Sequence, residues 1–421
     1  MSDPSWTEMF RAFGRIGVLS FGGPAAQIAL MHDTLVDRKK WLDEATYLRA
    51  LSLCMLLPGP EAMQLATYAG WRLKGVWGGL MAGLLFVGPG AVVIAGLAWV
   101  YLSFGAAPVV QAAFLGVKAT VIIIVLQALL RLSGKALIGA EQICLAIAAF
   151  VALFVFGAPF PAIIAVAAAY GALRFAKAPE HPATATATRD APGAPMRTLL
   201  VWGGLWLLPI ALLAAVEASF LLQVAVFFSK LAIVTFGGAY AVLAYMTQEV
   251  VQNLGWVSTG EMIDALGLAE TTPGPLILVT EFVAILAGAA QGGLPLAVLA
   301  GVTSLWVTFV PCFLWIFLAG PYLEQIAARP RISAALQGIT AAVVGVIANL
   351  SIWFAVHVLF RTVDPDGPLA LPRPDMASLD VTALGFTLAA GYLLLRAKLG
   401  LGVVLLIMAS AAVGIHALIG F

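Results

Sequence analysis

Charge is what this chain has least of. Of 421 residues only 10% are Asp, Glu, Lys or Arg, against 62% hydrophobic, and the mean hydropathy is +1.02. Water-soluble domains carry about a quarter charged residues, so this balance excludes them and reads as an all-α polytopic membrane protein. A net charge of +1 excludes a strongly basic nucleic-acid binder. Cysteine is also scarce: Cys54, Cys144 and Cys312 are odd in number, far apart and without a Cys-x-x-Cys, and are expected to be inert packing residues. The four histidines lack metal spacing, so no metal and no cofactor is expected. The opening Met1-Ser-Asp-Pro-Ser-Trp-Thr-Glu lacks the basic start and cleavable apolar core of a signal peptide. The first apolar segment is therefore expected to stay in the mature protein.

What the chain does have is a repeat. Pro58-Gly59-Pro60 recurs as Pro273-Gly274-Pro275, displaced by 215 positions. The same ungapped shift places Phe21-Gly22-Gly23 on Phe236-Gly237-Gly238, Met31 on Met246, Trp41 on Trp256 and Ala50-Leu51 on Ala265-Leu266. A looser echo, Leu115-Gly116 with Ala119 against Gln337-Gly338 with Ala341, extends it at a shifted offset. The breakers divide residues 10–32 and 45–72 into arms of roughly 12 residues, near 18 Å each, which reach about halfway through the hydrocarbon. Broken backbone at that depth persists only where protein or a polar cavity satisfies its N–H and C=O groups.

Unbroken spans are expected at 76–102, 109–131, 140–157, 159–176, 198–216, 294–318, 333–358, 380–395 and 399–419, with further broken pairs at 219–250 and 260–289. This divides the chain into a first repeat (1–176), a polar linker (177–197), a connecting transmembrane helix (198–217) and a second repeat (218–421). Lys and Arg gather in short cytoplasmic loops. If the broken segments are re-entrant hairpins, Arg38-Lys39-Lys40, Arg72 with Lys74, Arg131 with Lys135, and Arg174 with Lys177 all fall inside. The extra helix then inverts the second repeat, whose Asn253-Leu254-Gly255 replaces the basic triplet without charge. The expected fold is two inverted-topology repeats, each with two re-entrant helical hairpins and four full spans, joined by an extra transmembrane helix. The N-terminus is expected inside and the C-terminus outside.

Inverted repeats with interrupted helices are the layout of a secondary transporter, whose site lies near the midplane where the repeats meet. Pro60 and Pro275 are placed to open the second hairpin arms. Those arms aim free N–H groups and a positive dipole end at the centre, which suits an anion; the alternative is a packing kink. The candidate backbone comprises Gly22, Gly23, Pro58, Gly59, Pro60, Gly237, Gly238 and Gly274. Ser20, Thr235, Thr271 and Thr272 are candidate hydroxyl donors, or helix caps. Arg15 and Lys230 correspond under the shift and form a candidate cation pair; the alternative is that both snorkel to the surface. Lys118 reads as a third ligand or as the partner of a carboxylate. Glu61, Glu270 and Glu281 are candidate proton carriers, since desolvation helps a carboxylate to hold its proton near neutrality; Glu61 reads equally as a helix-dipole residue.

Ser-Phe-Gly-Gly-Pro (20–24), Leu-Pro-Gly-Pro-Glu-Ala-Met-Gln-Leu-Ala-Thr-Tyr-Ala-Gly-Trp (57–71), Thr-Phe-Gly-Gly-Ala-Tyr-Ala-Val-Leu (235–243) and Gly-Leu-Ala-Glu-Thr-Thr-Pro-Gly-Pro-Leu-Ile (267–277) resemble the signatures of the bacterial chromate ion transporter family in its long two-domain form. The resemblance covers nearly the whole chain apart from the linker and the extra span. It implies a carrier rather than an enzyme, exporting chromate across the bacterial inner membrane and conferring resistance. Chromate or a related oxyanion and the lipid bilayer are the expected partners; nucleic acid is not, and a homo-oligomer is compatible with the reading. A carrier of sulfate or another tetrahedral oxyanion, an anion channel and a membrane scaffold are the alternatives, because sulfate and chromate are near-isosteric dianions.

Overall fold

The computed structural model describes residues 4–176, 194–236, 239–322, 329–364 and 373–419. The first half runs through α1 (Trp6–Leu19), α2 (Gly23–His32) with a π-helical turn (Asp33–Arg38), α3 (Glu44–Leu56), α4 (Glu61–Phe104), α5 (Pro108–Ala136), α6 (Ala140–Phe154) and α7 (Phe160–Arg174). After α8 (Ala194–Ala215) come α9 (Ser219–Val234), α10 (Ala239–Thr247) with a π-helical turn (Gln248–Asn253), α11 (Thr259–Thr271) and α12 (Val279–Ala319). A longer helix α13 (Pro330–Leu359), a two-residue β-pair (Val363–Asp364 with Arg373–Pro374), α14 (Val381–Gly391) and α15 (Leu401–Ile419) complete it. Among the described residues six helices are long and apolar enough to cross a membrane, and the protein is a multi-pass helical membrane protein. The expected linker at 177–197 lies outside the described residues up to 193; its last four residues begin α8.

The repeat extends to backbone detail. The two π-helical turns are 215 residues apart, and so are the turns that close them. Lys39 N–H donates to Thr34 O and Trp41 N–H to Leu35 O, with Lys40 at φ 53°. In the second half Leu254 N–H donates to Glu249 O and Trp256 N–H to Val250 O, with Gly255 at φ 61°. After the second Pro-Gly-Pro the offset becomes 218, because a single 3-10 turn (Leu276–Leu278) is inserted before α12. Both long helices then break alike. Lys74 and Gly75 (φ −138° and 63°) interrupt α4, and Gly292 and Gly293 (φ −160° and 70°) interrupt α12. The arms fold side by side: a Cβ on Gly70 would collide with the Gly78 carbonyl, and one on Gly288 would lie 2.7 Å from Ala297 Cα.

The spans expected at 140–157 and 159–176 are shorter, 15 residues each in α6 and α7. At 1.5 Å per residue each covers about 22 Å, less than a hydrocarbon core of about 30 Å. Gly157 at φ 59° and Pro159 end one and delay the next, neither suiting a helix interior.

Contacts divide the chain into two compact units that interleave its halves. One comprises Met1–Gly96, Ala172–Val242 and Thr272–Leu336; the other comprises Leu97–Gly171, Leu243–Thr271 and Gln337–Phe421. In the first, α12 packs on α8 and α9. Trp202 stacks on Phe313 at 5.6 Å, and Trp206 Nε1 donates to Ser229 Oγ at 3.1 Å. In the second, α5 is the central helix against α11, α14 and α15; its glycine at 116 admits the backbone of Met408, and Phe160 stacks on Tyr245 at 5.2 Å.

Candidate functional site

Within the first unit the two Pro-Gly-Pro tips are locked reciprocally. Gly59 N–H donates to Thr235 O at 2.9 Å, and Gly274 N–H donates to Ser20 O at 3.0 Å. Each acceptor immediately precedes the Phe-Gly-Gly of the opposite repeat, so the donor pair and the acceptor pair both obey the 215-residue shift. Gly59 at φ 120° and Gly274 at φ 89° hold conformations that L side chains rarely adopt, and this turns each N–H outward from its own hairpin. Pro60 and Pro275 sit one position ahead of the helical turns they open; Pro60 O accepts from Gln64 N.

The Ser20 and Thr235 side chains are buried and donate back to the carbonyls of Ile16 and Leu231, one turn earlier. Their hydroxyl protons therefore cap the preceding helices here. Gly22 and Gly23 (φ 86° and 79°) lead into α2, with Pro24 in its first turn; Gly237 and Gly238 lie outside the described residues. Thr271 donates to Leu268 O at 2.7 Å, and Thr272 is buried. Sequence reasoning overlooked Gln27. Its Nε2 donates to Gly274 O at 2.7 Å and Ser20 O at 3.1 Å, while its Oε1 has no protein partner. A lone amide in an apolar segment, four residues after Gly23, was the available signal; in the structure it is 2% exposed.

The tips enclose a small cavity of about 20 Å³, lined among others by Pro24, Gln27, Gly59, Glu61, Thr235 and Pro275. That volume holds roughly one water and is too small for a five-atom oxyanion. The start of α4 contributes first-turn N–H groups that have no intrahelical partner.

The charged candidates fall in different places. Arg15 is exposed on α1, where it lines an open bowl of about 410 Å³ with Arg11, Arg38, Lys39, Glu8 and Asp33. Lys230 is exposed on α9. In the second unit Lys118 Nζ pairs with Asp264 Oδ1 at 3.2 Å, and Tyr101 Oη donates to Asp264 Oδ2 at 2.8 Å, so the carboxylate-partner alternative describes Lys118. Glu61 lines the cavity half-buried, and Glu270 is buried near the end of α11. Glu281 is 4% exposed on α12; its Oε2 has no hydrogen-bond partner, and it makes no ion pair among the described residues.

At the end of α2, His32 bonds Glu44 at 2.6 Å and Asp37 at 3.1 Å. The Glu44 carboxylate, assisted by Asp37, raises the imidazole above its ordinary value of 6.5. Among the described residues no group of His, Cys, Asp and Glu could hold a metal ion. Cys54 and Cys312 are buried, whereas Cys144 is exposed on α6 and does not pack a core, a correction to the expectation for all three.

The sequence profile of chromate transporters matches residues 7–172 and 222–415. The chain is 32% identical over 376 residues to the chromate transport protein of Cupriavidus metallidurans, covering 87% of this chain and 86% of that protein. It is 31% identical over 355 residues to the chromate transport protein of Pseudomonas aeruginosa, covering 83% and 80%. It is 30% identical over 371 residues to a probable chromate transport protein of Synechococcus elongatus, covering 87% and 88%. No solved structure matches the chain. A profile matched in both halves, and relatives aligned along most of their length, establish that the chain belongs to the chromate transporter family.

Proposed function

We propose that this protein carries chromate, or a closely related tetrahedral oxyanion, out of the cytoplasm across the inner membrane by alternating access at the Pro-Gly-Pro tips. The observation that carries the reading is the reciprocal pair of hydrogen bonds joining each tip to the opposite repeat. Two matched bonds that exchange partners under the repeat are what a pseudo-two-fold axis produces, and an axis in the membrane plane relates repeats of inverted topology. In this reading residues 1–176 and 218–421 are the repeats, 177–197 the linker and 198–217 the connecting helix. The broken segments are re-entrant hairpins.

The cavity between the tips is the closed form of the site. Opening it separates the tips and frees the N–H groups of Gly59 and Gly274 for the dianion. The further substrate-binding candidates of this reading are the backbone of Gly22, Gly23, Pro58 and Pro60 and the hydroxyls of Ser20, Thr235 and Thr272, the first two once released from the carbonyls of Ile16 and Leu231; Thr271, Gly237 and Gly238 are candidates from the sequence repeat alone. Arg15 and Lys230 are the candidates for compensating charge; Lys118, the third cation candidate, is held by Asp264 within the second unit. Glu61, Glu270 and Glu281 are the proton-coupling candidates. An inside-negative potential supplies about 2.3 kcal/mol per charge per 100 mV, so a departing dianion gains roughly 4.6 kcal/mol.

Counterflow in proteoliposomes is the test. Trans-stimulated chromate exchange is expected; uncoupled current indicates a channel, no flux a scaffold, and preference for sulfate a different physiological cargo. Cysteines at Lys39 and Asn253 should be labelled from opposite faces, and labelling of both from one face sinks the inverted arrangement.

A further inference from the structure

The bowl on the first unit has a composition that the tips alone do not require. Arg11, Arg15, Arg38 and Lys39 face Glu8 and Asp33, and four cations against two carboxylates leave two positive charges in one concavity. Both carboxylates are already engaged. Glu8 accepts from the backbone N–H and hydroxyl of Ser5 in a capping box, and Asp33 pairs with Arg38 at 2.9 Å. Arg11, Arg15 and Lys39 have no ion-pair partner among the described residues, although Lys39 lies 5.8 Å above the Trp41 ring. Asp33 offsets Arg38, and Glu8, whose bonds to Ser5 leave its charge in place, offsets one more cation, so two net positive charges in a cavity of about 410 Å³ create a positive potential in space that admits a tetrahedral dianion with part of its water shell.

The bowl and the tips are neighbours along α1. Arg15 and Ile16 line it, Ile16 O receives the Ser20 hydroxyl, and Ser20 O receives the N–H of Gly274. Along α1, Arg15 stands about 7.5 Å from Ser20. The repeat then shows what is particular to this half: the positions corresponding to Arg11, Arg15, Arg38 and Lys39 are Val226, Lys230, Asn253 and Leu254, so three of the four cations are missing.

We infer that the bowl is an anion-collecting vestibule serving one face of the transporter only. It raises the local dianion concentration ahead of the tips, and its absence from the second repeat makes the two faces kinetically unequal. The basic side is the cytoplasmic one if the loop charges orient the protein, so the dianion is gathered where it is to be removed. This inference rests on the transport reading above.

The experiment measures chromate flux from each face in oriented proteoliposomes, for wild type and for the double variant Arg11→Gln/Lys39→Gln. At low salt the variant is expected to raise KM from the face bearing residues 38–40 by roughly tenfold, in the range set by electrostatic steering, with kcat unchanged. The difference should close near 1 M salt, where the Debye length is about 3 Å. From the opposite face KM should not change. The charge-preserving Arg11→Lys/Lys39→Arg variant should behave as wild type, and Asn253→Lys/Leu254→Lys should lower KM from the other face. Wild-type flux with an unaltered KM and salt slope in the glutamine variant overturns the vestibule and leaves the transport reading standing. Loss of kcat overturns it in favour of a direct substrate site. An effect present in phosphatidylglycerol vesicles and absent in phosphatidylcholine overturns it in favour of a lipid-headgroup site. Absence of chromate flux in wild type removes both readings.

Discussion

Gly59→Ala tests the tip geometry most sharply, because two separate costs can be assigned to one methyl group. The first is conformational: φ of 120° lies where L residues are strained, at about 1–3 kcal/mol. The second is steric, since the new Cβ would lie 2.8 Å from Gln64 Nε2 and 2.9 Å from Cys312 Sγ. Overpacking of this kind costs about 1–3 kcal/mol. The sum, roughly 2–6 kcal/mol, exceeds what the single bond from Gly59 N–H to Thr235 O contributes, about 0.5–1.5 kcal/mol, so the tip should shift and that bond should weaken. Gly23→Ala is the control. Its φ is 79° but nothing lies within 4 Å of the added Cβ, so only the conformational cost remains. In detergent, Gly59→Ala should unfold several degrees below wild type and Gly23→Ala by less than half that shift. Adding Cys312→Ala should recover part of the Gly59→Ala loss by removing one of the two close contacts. Counterflow should fall in the same order. Equal stability of Gly59→Ala and wild type, or no recovery in the double variant with a folded protein, would refute the assignment of Gly59 to a packed tip.

Removing Lys118 leaves Asp264, with only 6% of its side chain exposed, without its cation. Because Lys118 is itself about a quarter exposed, the expected loss for Lys118→Met sits below the 3–5 kcal/mol typical of a fully buried pair, at about 1–3 kcal/mol. Lys118→Met/Asp264→Leu should restore much of it, and a double-mutant cycle without coupling rejects the pair. His32 carries a pKa raised by Glu44 and Asp37, so its stabilising contribution is complete below 6.5 and is lost as pH rises through the folded value. Thermal stability of His32→Gln should therefore show a flatter pH profile above 6.5, and a profile parallel to wild type rejects the contact. Glu281→Gln keeps shape without an ionisable group; it should leave stability at neutral pH intact while removing pH dependence from counterflow, and an unchanged pH profile assigns coupling elsewhere.

The sequence by itself determined the class, the repeat and the breaks. Scarcity of charge over apolar segments of spanning length leaves no soluble solution, and Pro and Gly constrain the backbone wherever they stand, so Pro58-Gly59-Pro60 and its copy mark interruptions without knowledge of their surroundings. These are local or compositional properties. Only the tertiary structure decided partners. Whether Lys118 meets Asp264, whether Arg15 joins Arg11 and Lys39 in a bowl, and whether Glu281 meets any described charge depend on which helix faces lie together, which one-dimensional spacing does not encode. The same holds for Gln27, whose two acceptors include a carbonyl 247 positions away, and for the exchange of bonds between Gly59, Thr235, Gly274 and Ser20. An amide or a positive-φ glycine announces that its hydrogen bonds must be satisfied; where they are satisfied is set by the packing of the chain against its own repeat.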